Sequence, residues 1–213
     1  MYRVQRSGRF KGSTASNIAL AIEASKLHEV ITGAPLAAWL TVAGSPAGTF
    51  GWTSWVETLD QLATRNDQLI ASAIWGKLED KAANVATDWS VDQITQVIVV
   101  PGVLGKAAQP GSRVLQSMVR ANQTADPMEM LQWATKMAEV TDRVSGGSVG
   151  LSQCGFGPDW GTYLFSQLYP DAKALDVGVA RSMASAEYLS VFMEGRKYVD
   201  TSSMRRAMMV KIA

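Results

Sequence analysis

Hydrophobic and polar positions change period several times along the chain, and each change marks a new element. Tyr2 to Gln5 reads as a short extended segment that ends in the turn residues Ser7, Gly8 and Gly12. A helical period follows: at about 100° per residue, Leu20, Ala24, Leu27 and Ile31 share one face and Lys26 and Glu29 fall opposite. Ser16 or Asn17 can cap this helix, and Gly33 and Pro35 stop it. Leu36 to Ala43 and Thr49 to Val56 are β-prone runs around a Gly/Pro loop, the pattern of an antiparallel hairpin. Alternation in the second run puts Phe50, Trp52 and Ser54 on one face and Gly51, Thr53 and Trp55 on the other. From Glu57 to about Ala86 the spacing of Leu59, Leu62, Ile70, Ile74 and Leu78 is helical, with a break near Asn66. Asp88 to Gln93 connects to an apolar strand, Thr95 to Val100, and the order of elements is βαββαβ.

The second half repeats that order. Arg113 to Val119 reads as strand, Pro127 to Arg143 as helix, Ser148 to Gly155 and Trp160 to Tyr169 as hairpin, Ala172 to Val199 as helix and Met204 to Ile212 as strand. A wording recurs as well: ASKLHEV from Ala24 returns as ATKMAEV from Ala134, an offset of 110 residues. At that offset, without gaps, Phe50 to Thr53 falls on Trp160 to Tyr163, and Val97 to Val100 falls on Ala207 to Val210. The expectation is two copies of one module, residues 1–103 and 112–213, joined by a linker at 104–111 within the stretch Pro101 to Gly111 that begins and ends with a Pro-Gly pair.

A βαββαβ unit is ferredoxin-like, a four-stranded antiparallel sheet with both helices on one face. Bulky residues on both strand faces, among them Trp39, Trp52, Trp55, Trp160, Tyr163 and Phe165, require the other face to be buried too, and the second copy is the nearest cover. The expected fold class is therefore α+β, two tandem ferredoxin-like repeats packed sheet to sheet. In this the chain resembles the dimeric α/β-barrel superfamily, in a tandem-duplicated form similar to NIPSNAP and antibiotic-biosynthesis monooxygenase-like proteins. The resemblance implies an intramolecular barrel with apolar pockets between the sheet and the helices of each half. It implies activities ranging from cofactor-free or haem-degrading oxygenation to isomerisation and decarboxylation. The haem-degrading branch uses a histidine on a later helix with an asparagine and a tryptophan, whereas His28, the one histidine, lies on the first helix of the first half. No cofactor is expected.

Composition narrows the classes. A chain of 213 residues holds enough apolar material for a sizeable core. The net charge is +1 with both signs interspersed, which argues against a nucleic-acid partner. The single cysteine, Cys154, makes no internal disulfide and reads as an inert buried thiol in a reducing compartment. The opening MYRVQRSGRFKG lacks the apolar core of a signal peptide, and no stretch has the length of a membrane span, so a cytoplasmic location is expected.

The candidate chemistry is sparse. His28 has the ordinary pKa of a proton-transfer group at neutral pH, and Tyr163 is a second proton donor. Trp39, Trp52, Trp55 and Trp160 are candidate walls for a flat organic ligand, although each also suits plain packing. One histidine excludes HExxH zinc sites. Gly146 to Gly150 matches GxSxG, but with helix before and strand after, the reverse of a nucleophile elbow. Lys26/Glu29 and Lys136/Glu139 read as solvated ion pairs. Two function classes stand: a cofactor-free monooxygenase or isomerase acting on a small apolar, aromatic or polyketide-like compound, and a non-catalytic ligand-binding or homo-oligomeric scaffold protein.

Overall fold

The structure is a computed structural model that describes residues 1–89, 92–99, 108–157 and 159–213. Positions 104–107 of the expected linker lie outside the described residues. The first half contains β1 (Tyr2–Phe10), α1 (Thr14–Thr32), β2 (Ala37–Ala43), β3 (Thr49–Val56), α2 (Leu59–Ile70), α3 (Ala73–Ala83), β4 (Ala86–Trp89) and β5 (Gln93–Val99). The second contains β6 (Arg113–Ala121), α4 (Pro127–Ser145), β7 (Ser148–Phe156), β8 (Thr162–Tyr169), α5 (Ala172–Ala184), α6 (Ala186–Glu194), a short 3-10 turn (Gly195–Lys197) and β9 (Val199–Lys211).

Both halves have the ferredoxin-like order, because β4 and β5 pair successive stretches of the same edge of β1. Phe10, Arg9 and Gly8 face Ala86, Asp88 and Trp89, and Gln5 to Tyr2 face Gln93 to Gln96. All strands belong to one sheet in the order β3-β2-β9-β6-β8-β7-β5-β1-β4, and a further β3–β1 ladder closes it into a barrel. Every pairing is antiparallel. The halves meet at two backbone seams, β2 with β9 and β5 with β7. The helices lie outside. In the second half Met130, Trp133, Ala134, Met137 and Ala138 of α4 pack on Val149, Leu151, Tyr163 and Phe165, and in the first Leu20, Ala21 and Leu78 pack on Phe10, Ala38, Phe50 and Trp52.

Several expectations shift in detail. Helix α1 starts at Thr14 rather than Ser16, since the Ser13 hydroxyl accepts the Ser16 N–H. Its buried residues are Asn17, Leu20, Ala21, Ser25 and His28, so the helix is rotated away from the Leu27/Ile31 stripe and lays small side chains toward the sheet. The helical break falls at Ala71–Ser72, not near Asn66, because Ser72 caps α3 by accepting the Trp75 N–H. Ser185 does the same for Tyr188 and splits the single helix expected over 172–199.

The register between the halves also differs from the sequence reading. Gly33 (φ 68°) and Gly146 (φ 72°) end α1 and α4, and Ser13 and Asp126 begin them. Both pairs are 113 residues apart, as are the caps Thr58/Asp171 and Ser72/Ser185. The heptapeptide match at 110 is therefore nearly one helical turn out of structural register. At 113 an ion pair reappears with its signs exchanged: Glu23–Lys81 (2.5 Å) in the first half and Lys136–Glu194 (3.0 Å) in the second. Lys136 thus reaches α6 instead of Glu139. Both pairs are solvated and contribute about 0–1 kcal/mol each.

Tyr169, 1% exposed, is wedged between two glycines, where an added Cβ would stand 2.6 Å (Gly147) or 2.5 Å (Gly178) from its ring. Gly178→Ala should lose about 1–3 kcal/mol to this overlap, more than the roughly 1 kcal/mol that alanine gains in a helix. Gly76→Ala on α3, with nothing within 4 Å, should be neutral or stabilising. Urea denaturation of the two variants checks this, and a Gly178→Ala protein as stable as Gly76→Ala would show that Tyr169 is not tightly held.

Candidate functional site

A space with a cavity volume of about 190 Å³ lies in the second half, between the outer face of the sheet and helices α4 and α6. Trp133, Phe165, Tyr188 and Phe192 supply aromatic walls. Each ring is held from behind. The Trp133 Nε1–H donates to the Val191 carbonyl at 2.8 Å, and Gly195 lies so close that a Cβ there would be 2.3 Å from Trp133 Cζ2. Phe165 meets Trp133 edge-on at 6.1 Å, and Phe192 stacks on Tyr188 at 6.2 Å.

The polar groups in this cleft are mostly satisfied within the protein. The Thr141 hydroxyl donates to Met137 O at 2.6 Å, and Gln167 accepts the Tyr169 hydroxyl at 2.9 Å. Arg206 Nε donates to Ser117 Oγ at 3.0 Å. Arg206 and Arg196 are exposed, so the cleft is an aromatic slot with a cationic rim.

The equivalent positions of the first half carry smaller side chains at some points, Leu20 for Trp133 and Ala24 for Met137, and larger ones at others. Subtracting 113 turns Thr141 into His28, Tyr188 into Trp75 and Phe165 into Trp52, each a larger side chain. His28 is 6% exposed and packs edge-on against Trp75 at 6.3 Å. Its Nδ1 lies 2.9 Å from the Ala34 carbonyl, and since a carbonyl only accepts, Nδ1 carries the proton. Burial pushes the His28 pKa below its ordinary value, against the raising effect of the Ala34 hydrogen bond. Trp52 is buried against Phe10 and has no partner for its Nε1–H.

A second space, about 50 Å³, lies inside the barrel and is lined by Arg3, Trp39, Thr53, Trp55, Ser152 and Ser166 among others. The Trp39 Nε1–H donates to Thr53 Oγ1 at 2.9 Å. Burial lowers the Arg3 pKa to about 10, so its guanidinium stays charged at neutral pH.

No protein-family model matches the chain, and no curated protein matches it. Solved structures do. A candidate monooxygenase of Fusobacterium nucleatum superimposes with a TM-score of 0.71 at 7% identity, covering 100% of this chain and 92% of that one. A candidate monooxygenase of Lactobacillus acidophilus gives 0.68 at 14% identity, covering 100% and 93%. An anthrone oxidase-like protein gives 0.62 at 11%, covering 98% and 91%. The chain has the dimeric α/β-barrel fold. At these identities the likeness concerns the fold alone.

Some proteins of this barrel fold hold haem, most often through a histidine or cysteine. The cleft lining contains no histidine or cysteine to serve as an axial ligand, and His28 sits in the other half with one ring nitrogen committed to Ala34. Among the described residues no cluster of His, Cys, Asp or Glu could hold a metal ion, and no helix is long and apolar enough to cross a membrane.

The residues singled out from the sequence do not converge. Trp39 and Trp55 share the barrel interior, and Trp52 lies on the opposite face of β3 beneath the first-half helices. Trp160 is 74% exposed in the turn between β7 and β8 and lines neither space. Tyr163, 4% exposed, is packed in the second-half core, where burial raises its pKa. Cys154 is buried, donates to Phe156 O at 3.2 Å, and has its pKa raised chiefly by burial. Sequence reasoning missed Trp133, Tyr188, Phe192, Arg196 and Arg206 as cleft residues, and Arg3 as an interior one. The signal for the cleft was the exchange of His28 and Thr141, which the offset of 110 concealed by pairing His28 with Ala138.

His28 gives a pH prediction. Its folded pKa lies below 6.5, so the unfolded chain takes the proton first as pH falls. Stability from neutral His28 is complete above pH 6.5 and is lost as pH falls from there toward the folded value. His28→Thr, which installs the second-half residue, should flatten the dependence of unfolding free energy on pH below 6.5. Denaturant titrations across that window provide the check, and an unchanged slope would remove His28 as its source.

Proposed function

We propose that the second-half cleft binds a flat aromatic compound with an ionisable oxygen, and that the protein oxygenates this compound without a cofactor. One observation carries the reading: a slot walled by Trp133, Phe165, Tyr188 and Phe192 opens at a rim holding Arg196 and Arg206. Rings bury flat apolar surface, and a cationic rim favours the ionised form of a phenol or enol placed beside it. An electron-rich phenolate or anthrone-type anion can reduce dioxygen itself, so the chain need only bind, orient and ionise it. The names of the neighbours, two candidate monooxygenases and an anthrone oxidase-like protein, support that choice of chemistry. Kinship with NIPSNAP and antibiotic-biosynthesis monooxygenase-like proteins is the finer form of the same reading. His28 and Tyr163 act in it as packing residues.

A second reading, binding without turnover, is favoured by the lining itself, which offers no carboxylate, imidazole or thiol as a base. Oxygen uptake with a panel of polycyclic phenols and anthrones separates the two. Combining Thr141→His with Tyr188→Trp installs the bulkier first-half residues, so it should abolish binding in equilibrium dialysis while the protein stays folded. Arg206→Ala should weaken binding of the anionic members by about tenfold, roughly 1.4 kcal/mol. Undiminished binding by the double variant would place the ligand elsewhere, and binding without oxygen uptake anywhere in the panel would select the second reading.

A further inference from the structure

Arg3 is the one arginine in the chain's buried set, 7% exposed, and its position inside the barrel follows from strand register. It stands opposite Trp55 on β3 and Thr95 on β5, two residues of the inward face. Among the described residues it has no carboxylate partner, and none of the positions left undescribed is Asp or Glu. Its protein acceptor is the Gln116 amide, which, turned to satisfy both groups, places its oxygen 3.0 and 3.2 Å from the two terminal nitrogens. Much of the guanidinium fork is left without an acceptor, in a space bounded by Trp39, Trp55 and Met209. Hydroxyls also reach this space. Thr53 accepts from Trp39, which leaves its own O–H to donate, and Ser152 and Ser166 line the opposite side.

We propose that the barrel interior binds a small planar monoanion, a carboxylate or an inorganic isostere such as nitrate, held by Arg3 with donation from Thr53 and the lining serines. A guanidinium offers parallel N–H groups that match two coplanar oxygens, and the match is stronger where water is excluded. The cavity of about 50 Å³ has room on the order of three or four water-sized spheres, enough for formate or nitrate but not for a ring. The lowered Arg3 pKa, caused by burial alone, agrees with the absence of a carboxylate partner among the described residues. This site is separate from the second-half cleft, so its failure leaves that reading intact.

The test uses the full chain at neutral pH and constant ionic strength, with sodium formate or sodium nitrate replacing sodium sulfate, a dianion too bulky for the cavity. The expected result is a saturable rise in melting temperature, opposite to the general effect of removing sulfate, together with a calorimetric binding isotherm. Arg3→Met, which puts an apolar chain of similar length at the site, should weaken binding at least tenfold. Ser166→Leu, which keeps the charge and fills the space, should do the same and decides the matter if Arg3→Met does not fold. Absence of saturable binding by the wild-type protein, or binding that survives in either folded variant, overturns the proposal.

Discussion

Unpaired strand edges are the constraint on which this molecule depends. A ferredoxin-like half has two of them: β2 and β5 in the first half, β7 and β9 in the second. An exposed edge presents a row of N–H and C=O groups ready to pair with any other chain. Here each edge is taken up by the opposite half, β2 by β9 and β5 by β7, and closure leaves β4 as the small strand outside the ring. The helices pack only on the outside of this ring, so every larger space must lie either inside the barrel or between barrel and helix. Both kinds occur, and the chemistry of each follows from which strand face it touches.

The outer face shows how one architecture yields two different halves. Equivalent positions carry different side chains. His28, Trp75 and Trp52 add bulk in the first half, whereas Thr141, Tyr188 and Phe165 line a cavity of about 190 Å³ in the second. The first-half packing is imperfect in energetic terms. Trp52 has a buried N–H without an acceptor, which costs on the order of 1–3 kcal/mol. His28 avoids such a penalty by donating to Ala34 and staying neutral. An aromatic that fits the volume is tolerated even where its polar atom is stranded, because burial of its ring surface outweighs one missing bond.

Sequence periodicity was sufficient for the order of elements and for the two faces of β3, since a period of two leaves no freedom once the strand is placed. That Trp52, under the helices, and Trp55, in the barrel, lie on opposite faces follows from alternation alone. Register between the halves was not legible, because ASKLHEV and ATKMAEV match at a spacing almost one helical turn away from the caps that structurally correspond. A helix tolerates that displacement in composition, although it changes which residue faces the cleft. The face of α1 was misjudged for a related reason: a helix with weak amphipathic contrast is oriented by close approach of Ala21 and Ser25, not by Leu27 and Ile31. Trp160 sits in a β-prone run, yet it belongs to the turn before Gly161 (φ 77°), where nothing covers it. Arg3 was invisible because arginine is ordinarily a surface residue.

The buried polar groups inside the barrel bear on register as well as on binding. The inward face of β1 carries Arg3 and Gln5, while its outward face brings Phe10 toward apolar surroundings. Slipping β1 by one residue against β3 or β5 exchanges these faces. Arg3 would then turn to the face beneath the helices, level with Ser54 and the buried Val56, without the Gln116 amide, and bulky outward residues would crowd an interior built from Thr53, Ser152 and Ser166. Either displacement is far more costly than the loss of a hydrogen bond, since a buried charge without a polar partner is among the least favourable groups in a core. The polar interior thus restricts β1 to one alignment, and because β1 is the strand whose pairing with β3 closes the ring, that alignment fixes the closure.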